Sequence, residues 1–566
     1  MSVSPTPHRR ELLATVAALG IGSVTFQRAI LAQAQPAKGE PVTAITAEMV
    51  QQAEWVAGIT LTEDERKKVA AGLTRALAGT NAGRKVAVSN DVPPALRFDP
   101  QPGLVPTATG RGKVALGEVK VKKPEADDDL AFAGVATLAQ LLRDKKVSSV
   151  ELTKLFLARL AKYDPGLKCV VTLTEELALK QAKAADAEIA AGKFRGPLHG
   201  IPWGAKDLIA YPGYKTTWGA EHYKDQTFDK KASVAKRLDD AGAVLVAKLT
   251  LGALAYGDVW FGGKTRNPWD VTRGSSGSSA GSASAVAAGC VPFAIGSETL
   301  GSIVSPSREC GVTGLRPTFG RVGRGGCMAL SWSMDKLGPL CRSAEDAALV
   351  LSAIHGTDPD DASAVERPFD WPGKKPAKEL TVGFFEKFKG AGYEDVLKVL
   401  KDSGAKLVPV ALPTSVPTGA LRCILDAEAA AAFDDLTRAG ISEGFGALWP
   451  IPFREGQFVT AVDYLRANRL RTLLMKEMAK LMATVDLYVG GNDLLVTNLT
   501  GHPTVCLPCG FTERKAGDLP QAVTFTGRLY GEMELLTVAK AYQDATDFHA
   551  KRPPMEKATK ENAEGK

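Results

Sequence analysis

Two serine-bearing turns stand out in the 566-residue chain. The first reads Arg273-Gly-Ser-Ser-Gly-Ser-Ser-Ala-Gly-Ser282 and passes directly into an Ala-rich helical stretch to Gly289, then into the apolar run Val291 to Ile295. A Gly/Ser tract alone reads as a flexible linker. One that feeds straight into buried elements reads instead as a tight loop whose small side chains let backbone N–H groups crowd around a reacting group. The second turn, Gly296-Ser-Glu-Thr-Leu-Gly-Ser302, is followed by Ile303-Val304. A serine in such a turn can present its hydroxyl beside several free N–H groups, the geometry needed to attack a carbonyl and hold the resulting oxyanion. Standing alone, the second turn would be read as a plain surface turn.

A serine hydroxyl is a weak nucleophile and needs a base. His199, His222, His355, His502 and His549 have no triad-like context, and the absence of an H-x-x-x-H pair leaves a metal hydrolase poorly supported. A lysine can serve if burial strips its proton, because desolvation disfavours the ammonium form. Lys206 lies in Gly200-Ile-Pro-Trp-Gly-Ala-Lys-Asp-Leu-Ile209, an apolar stretch punctuated by turn formers and unlike the lysines of charged runs. The neighbouring Asp207 offers the opposite outcome, since an ion pair with it would keep Lys206 charged.

Together these segments resemble the amidase-signature family. The resemblance rests on Asn267-Pro-Trp-Asp270 ahead of the Gly/Ser loop, on the G-I-P-x-x-x-K-D pattern around Lys206, and on Cys310-Gly-Val-Thr-Gly-Leu-Arg-Pro-Thr-Phe-Gly-Arg321. Leu337-Gly-Pro339 and Asn498-Leu-Thr-Gly-His-Pro503 extend it, so that it covers roughly residues 130 to 555. It implies an α/β fold, a large twisted mixed β-sheet flanked by helices on both faces. It also implies a catalytic set of Lys206, Ser278 and Ser302, with Ser278 the bridging serine that the family typically holds by a cis peptide bond. The backbone N–H groups of Thr299, Leu300, Gly301 and Ser302 would form the oxyanion hole, and no cofactor or metal is implied. The expected activity is hydrolysis of a small-molecule carboxylic amide through an acyl-enzyme on Ser302. The alternatives are a glutaminase-type subunit of a tRNA-dependent amidotransferase and an inactive binding protein on the same scaffold. Two positions depart from the family pattern. Leu300 stands where the loop usually has glycine, which would strain a turn that needs positive φ, and Ala280 likewise replaces a glycine.

The elements that must position these residues alternate between helix and strand, which favours a layered α/β fold. Ser148 and Glu151 form a capping box ahead of Leu152, Leu155, Phe156 and Leu160, one buried helix face. An Ala-rich helix runs from about Glu175 to a stop at Gly192, and Ala243 to Ala247 reads as a strand covered on both faces. Long helical patterns dominate the less informative stretch 356–480. Ahead of the body, residues 1–34 read as a twin-arginine-type export leader: Arg9-Arg10, the apolar run Leu12 to Phe26, and Ala32-Gln33-Ala34 as a cleavage-like site. Residues 35–129 read as a helical segment, capped at Thr62 and Glu65 with Val69, Leu73 and Leu77 behind them, followed by a Pro/Gly-rich arm. Residues 130–566 form the expected catalytic domain.

Composition narrows the partners. A formal charge of +7, with Lys and Arg interspersed among Asp and Glu, carries no nucleic-acid footprint. No segment reads as an integral membrane span, and Arg28 interrupts the leader. The eight cysteines do not form a disulfide scaffold, and Cys506-Leu-Pro-Cys509 sits in an apolar run that reads as a buried strand, not a zinc site. The expected location is exported, in the periplasm, with the cytoplasm as the alternative; a homodimer is left open.

Overall fold

Strand after strand in the central body is buried on both faces, and the reason is visible in the residues. In β4 (Phe293–Glu298), Phe293 and Ile295 join one apolar cluster while Ala294 joins another. In β3 (Val244–Leu249), Leu245 faces the first cluster and Val244 and Val246 face the second. A strand whose alternate side chains feed two cores must lie between two helical layers. The computed structural model describes residues 44–566 except 85–88, 93, 95, 103–109, 117–120, 447, 492, 513–517, 557 and 559–566. Residues 1–34, read above as an export leader, therefore lie outside the described residues.

Among the described residues, eleven strands form one mixed sheet. Besides β3 and β4 they are β1 (Val170–Leu173), β2 (Pro202–Lys206), β5 (Thr313–Arg316), β6 (Lys336–Cys341), β7 (Thr381–Phe384), β8 (Lys406–Pro409), β9 (Leu487–Val489), β10 (Thr504–Thr512) and β11 (Leu519–Gly527). Their spatial order is β1-β3-β2-β4-β6-β5-β10-β11-β9-β7-β8. The expected α/β architecture, a large mixed sheet with helices on both faces, is the one observed. β2 runs parallel to both neighbours, with Lys206 opposite Leu249 and Ala205 opposite Ile295. β4 pairs antiparallel with β6, Glu298 opposite Lys336. The carboxyl ends of β2 and β4 thus lie side by side, where open α/β sheets place their ligand crevices.

The helix Ser149–Leu167 begins at the anticipated capping box: Glu151 N–H donates to Ser148 Oγ at 3.0 Å and Ser148 N–H to Glu151 Oε2 at 2.7 Å. The helix Glu175–Ala190 ends just before Gly192. Cys506 and Cys509 are buried within β10 as free thiols. The stretch 356–480 holds more than helices, since it contributes β7 and β8, both short and partly exposed. The chain divides into two compact units at residues 87 and 88, so the described residues among 89–129 belong to the sheet-bearing unit. The first unit carries the helices Ala47–Ala57 and Glu63–Arg84, where Val69 and Leu73 are exposed and Ala70 is buried. Among the described residues no helix is long and apolar enough to cross a membrane.

Candidate active site

Lys206 ends β2, a strand without a solvent-facing residue, and its side chain is fully buried. Its Nζ lies 2.8 Å from Ser278 Oγ, 2.8 Å from Ser297 Oγ, 3.1 Å from Ser279 Oγ and 3.4 Å from Ser297 O. Burial is the largest influence on this amine, and it brings the pKa down from 10.5 to about 7 against the upward pull of Asp335 and Glu298. The ion pair that could have kept it charged is absent. Asp207 turns to Lys248, whose Nζ donates to Oδ1 at 2.6 Å, while its Oδ2 accepts from Thr217 N–H at 2.8 Å and Thr217 O–H at 2.5 Å.

The Gly/Ser loop wraps this amine. Its Gly277–Ser278 peptide is cis. A Cβ on Gly277 would lie 1.8 Å from Gly257 O, so the approach demands glycine. Ser279 stitches the loop to its surroundings: its N–H donates to Ser302 O at 3.1 Å, and its Oγ accepts from Ser297 N–H at 3.1 Å. Asn267-Pro-Trp-Asp270 fastens the other side, with Asn267 Nδ2 donating to Glu309 O at 2.8 Å and Trp269 Nε1 to Cys310 O at 2.8 Å. The loop is therefore tied to the helix Val304–Cys310 that follows Ser302.

Ser302 is almost buried, in the turn between β4 and that helix. Among the described residues, no protein group accepts from the backbone N–H of Thr299, Leu300, Gly301 or Ser302. Four adjacent donors are thus unclaimed by any described protein acceptor. Positive φ falls on Gly301, at 92°, and on neither Leu300 nor Ala280, so the two departures from glycine carry no left-handed strain. Lys206 and Ser278 are brought to hydrogen-bonding distance. The Ser302 hydroxyl makes no hydrogen bond to Ser278, and the two loops meet through the Ser279–Ser302 backbone bond.

A buried carboxylate that sequence reasoning gave no role holds the Ser302 turn. Glu298 Oε2 accepts from Ile303 N–H at 2.9 Å and Val304 N–H at 3.0 Å, and its Oε1 accepts from Arg316 Nη1 at 2.7 Å and Asn498 Nδ2 at 2.8 Å. Burial pushes this carboxyl up, and the Arg316 guanidinium overrides it, holding the pKa near about 2. Arg316 also donates to His502 O at 2.9 Å and Thr504 Oγ1 at 2.5 Å. The motifs around residues 316 and 498–503 are therefore the far half of that turn's support. Asp335 was likewise missed. It accepts from Thr299 Oγ1 at 2.6 Å and from the N–H groups of Leu330 and Ser331 at 2.8 and 3.0 Å. Its position two residues before Leu337-Gly-Pro339, in the mixed segment Ser331-Trp-Ser-Met-Asp-Lys336, is the one signal the sequence carries.

A family model described as Amidase matches residues 151–490. The chain belongs to the amidase family. Membership makes it a hydrolase of amide carbon–nitrogen bonds. A glutamyl-tRNA(Gln) amidotransferase subunit from Azoarcus sp. is 36% identical over 74% of this chain and 99% of its own. The native peptide amidase of Stenotrophomonas maltophilia superposes with a TM-score of 0.65 at 31% identity, covering 75% of this chain and 98% of its own. An amidase family protein from Bacillus anthracis gives 0.67 at 26% identity, over 76% and 93% of the two chains.

Removing one partner of the Glu298–Arg316 pair leaves a buried charge uncompensated. Arg316→Met is expected to cost about 3–5 kcal/mol in urea unfolding, and the double variant Arg316→Met/Glu298→Gln should recover part of that. The native pKa of Glu298 is depressed from 4.5 to about 2, so its stabilisation is present above pH 4.5 and lost as pH falls toward 2. Arg316→Met should lack that acid-dependent loss; identical acid titrations in the two proteins would refute the clamp.

Proposed function

We propose that this amidase hydrolyses a small-molecule carboxylic amide through an acyl-enzyme on Ser302, with Lys206 as base and Ser278 as relay. The observation that carries the reading is the buried amine of Lys206, brought down to about 7 and seated 2.8 Å from the Ser278 hydroxyl. Neutral Lys206 takes the Ser278 proton while Ser278 takes that of Ser302, whose Oγ attacks the amide carbon. The Ser278–Ser302 contact closes when substrate fills the site, as catalytic hydrogen bonds commonly do. The oxyanion is met by N–H groups of the turn 299–302, and losing one such donor costs about 3 kcal/mol. The proton returns through Ser278 to the leaving nitrogen as the C–N bond breaks. Water then attacks the ester, the same relay takes its proton, and the carboxylic acid and Ser302 are released.

The Azoarcus relative favours a second reading, release of ammonia from glutamine for a partner protein. The leader with Arg9-Arg10 weighs against it and supports an exported enzyme, because tRNA chemistry is cytoplasmic.

Ser302→Ala and Lys206→Ala are expected to lower kcat/KM by about a hundredfold or more, with unchanged folding by circular dichroism, and a fluorophosphonate should label wild type at Ser302 alone. Only the neutral amine accepts a proton, so kcat/KM should fall below an apparent pKa of about 7 and level off above it. A profile flat from pH 5 to 9 would remove Lys206 as the base. For location, mass spectrometry of the protein from cells should find the mature chain starting just after Ala34; strict glutamine preference together with a copurifying partner would instead establish the second reading.

A further inference from the structure

A cavity of about 680 Å³ opens beside the nucleophile turn and reaches it at Ser297 and Thr299. One wall is supplied by described residues between Ser89 and Phe98, well ahead of the stretch 151–490 that the family model matches. This strap is pinned at both ends. The Asn90 side chain pairs with the backbone of Ala329, accepting from its N–H at 2.7 Å and donating to its carbonyl at 2.9 Å, and also donates to Ala432 O at 3.3 Å. At the other end Phe98 meets Phe319 edge-on at 5.0 Å and lies under the Arg471 guanidinium at 3.4 Å. Between the pins, Val92 and Leu96 line the cavity yet remain 52% and 68% exposed. Apolar side chains left in water at the edge of a cavity are surface that a bound apolar group would cover.

The charges that face the cavity are spent on the protein or lie in water. Arg324 binds Asp361 through Nε at 2.7 Å and Nη2 at 3.0 Å, and gives its remaining donors to Trp332 O, Asp335 O and Ser363 Oγ. Lys230 pairs with Asp360 at 2.5 Å, and Asp335 is saturated by Thr299, Leu330 and Ser331. Asp91, Arg97 and Asp435 are exposed at the rim. Facing the interior are Phe228, Met328, Leu330 and Trp332.

We infer that the strap is a specificity element: Val92 and Leu96 complete an apolar wall that takes a bulky aromatic or branched alkyl group of the scissile amide. Amides bearing such a group are the preferred substrates, ahead of acetamide or of zwitterionic glutamine. The inference rests on the acyl-enzyme reading given above, and its test is built so that either can fail alone. With the full chain, kcat/KM is measured on phenylacetamide, acetamide and glutamine. In parallel, phenylacetamide binding to Ser302→Ala is measured by calorimetry, which needs no turnover.

Wild type should favour phenylacetamide over both other amides by about ten-fold or more, and Leu96→Glu should erase about ten-fold of that preference. Asn90→Ala should do so through KM, with kcat for phenylacetamide held, a split that general destabilisation does not produce. Phenylacetamide should bind Ser302→Ala, and adding Leu96→Glu should weaken that binding about ten-fold. Binding with this weakening, in a wild type that hydrolyses no amide, would uphold the strap and discard the acyl-enzyme. Preference and binding unmoved by Leu96→Glu, or glutamine turned over faster than phenylacetamide, would overturn the strap even if Ser302 is the nucleophile.

Discussion

Withholding water from one amine is the constraint on which the site depends. A pKa brought from 10.5 to about 7 means that the site disfavours the charged form by about 5 kcal/mol relative to water. Two nearby carboxylates, Asp335 and Glu298, work against it. Burial wins because each is committed elsewhere, Glu298 to Arg316 and Asp335 to Thr299 and two backbone N–H groups. The competing acid next in sequence, Asp207, is claimed by Lys248 of the neighbouring strand β3. The sheet thus arranges its own ion pairs so that the lysine at the carboxyl end of β2 is left with hydroxyls and a carbonyl as its nearest partners.

The same economy governs the nucleophile turn. A turn that must leave four N–H groups unbonded cannot be held by its own backbone, so it is held from beneath. The Glu298 carboxylate caps the start of the following helix and ties it to β5 and, through Asn498 and His502, to the helix Leu494–Thr500 and the turn after it. The resulting dependence spans about two hundred residues of chain, which is why motifs so far apart serve one turn. Within this turn positive φ falls at residue 301 alone, where it is 92° and a Cβ would also crowd Leu494 and Ser305. Leucine at 300 fits because the left-handed conformation sits one position later.

How much of this was legible in the sequence follows from how local each signal is. Capping and apolar runs announce the helix Ser149–Leu167 and β3, since each is specified by neighbours in sequence; loop composition marks the two serine-bearing turns, and the resemblance to the amidase-signature family singles out Ser278 and Ser302 within them. Glu298 and Asp335 were invisible as supports because an acidic residue does not announce its partner, and theirs lie across the sheet or in other loops. β7 and β8 escaped notice among helical patterns, being four residues long and only partly buried, so their apolar alternation is weak. The repeat Val69, Leu73 announces the helix Glu63–Arg84, and in the described structure both side chains are exposed, since spacing marks a helix face and not what covers it.

Chemistry and selectivity are built from different materials here. Lys206, Ser279 and Glu298 are fixed by buried strands and charge-assisted bonds, so shifting any of them disturbs several partners at once. The cavity wall is made of loop segments around residues 89–98, 324–332 and 359–363, joined by side-chain contacts such as Asn90 to Ala329 and Arg324 to Asp361. Such a wall can change a side chain without reaching the strand ends beneath it. A frame that must exclude water from one lysine has little freedom to vary, and it is the loops above it that are free to differ in what they admit.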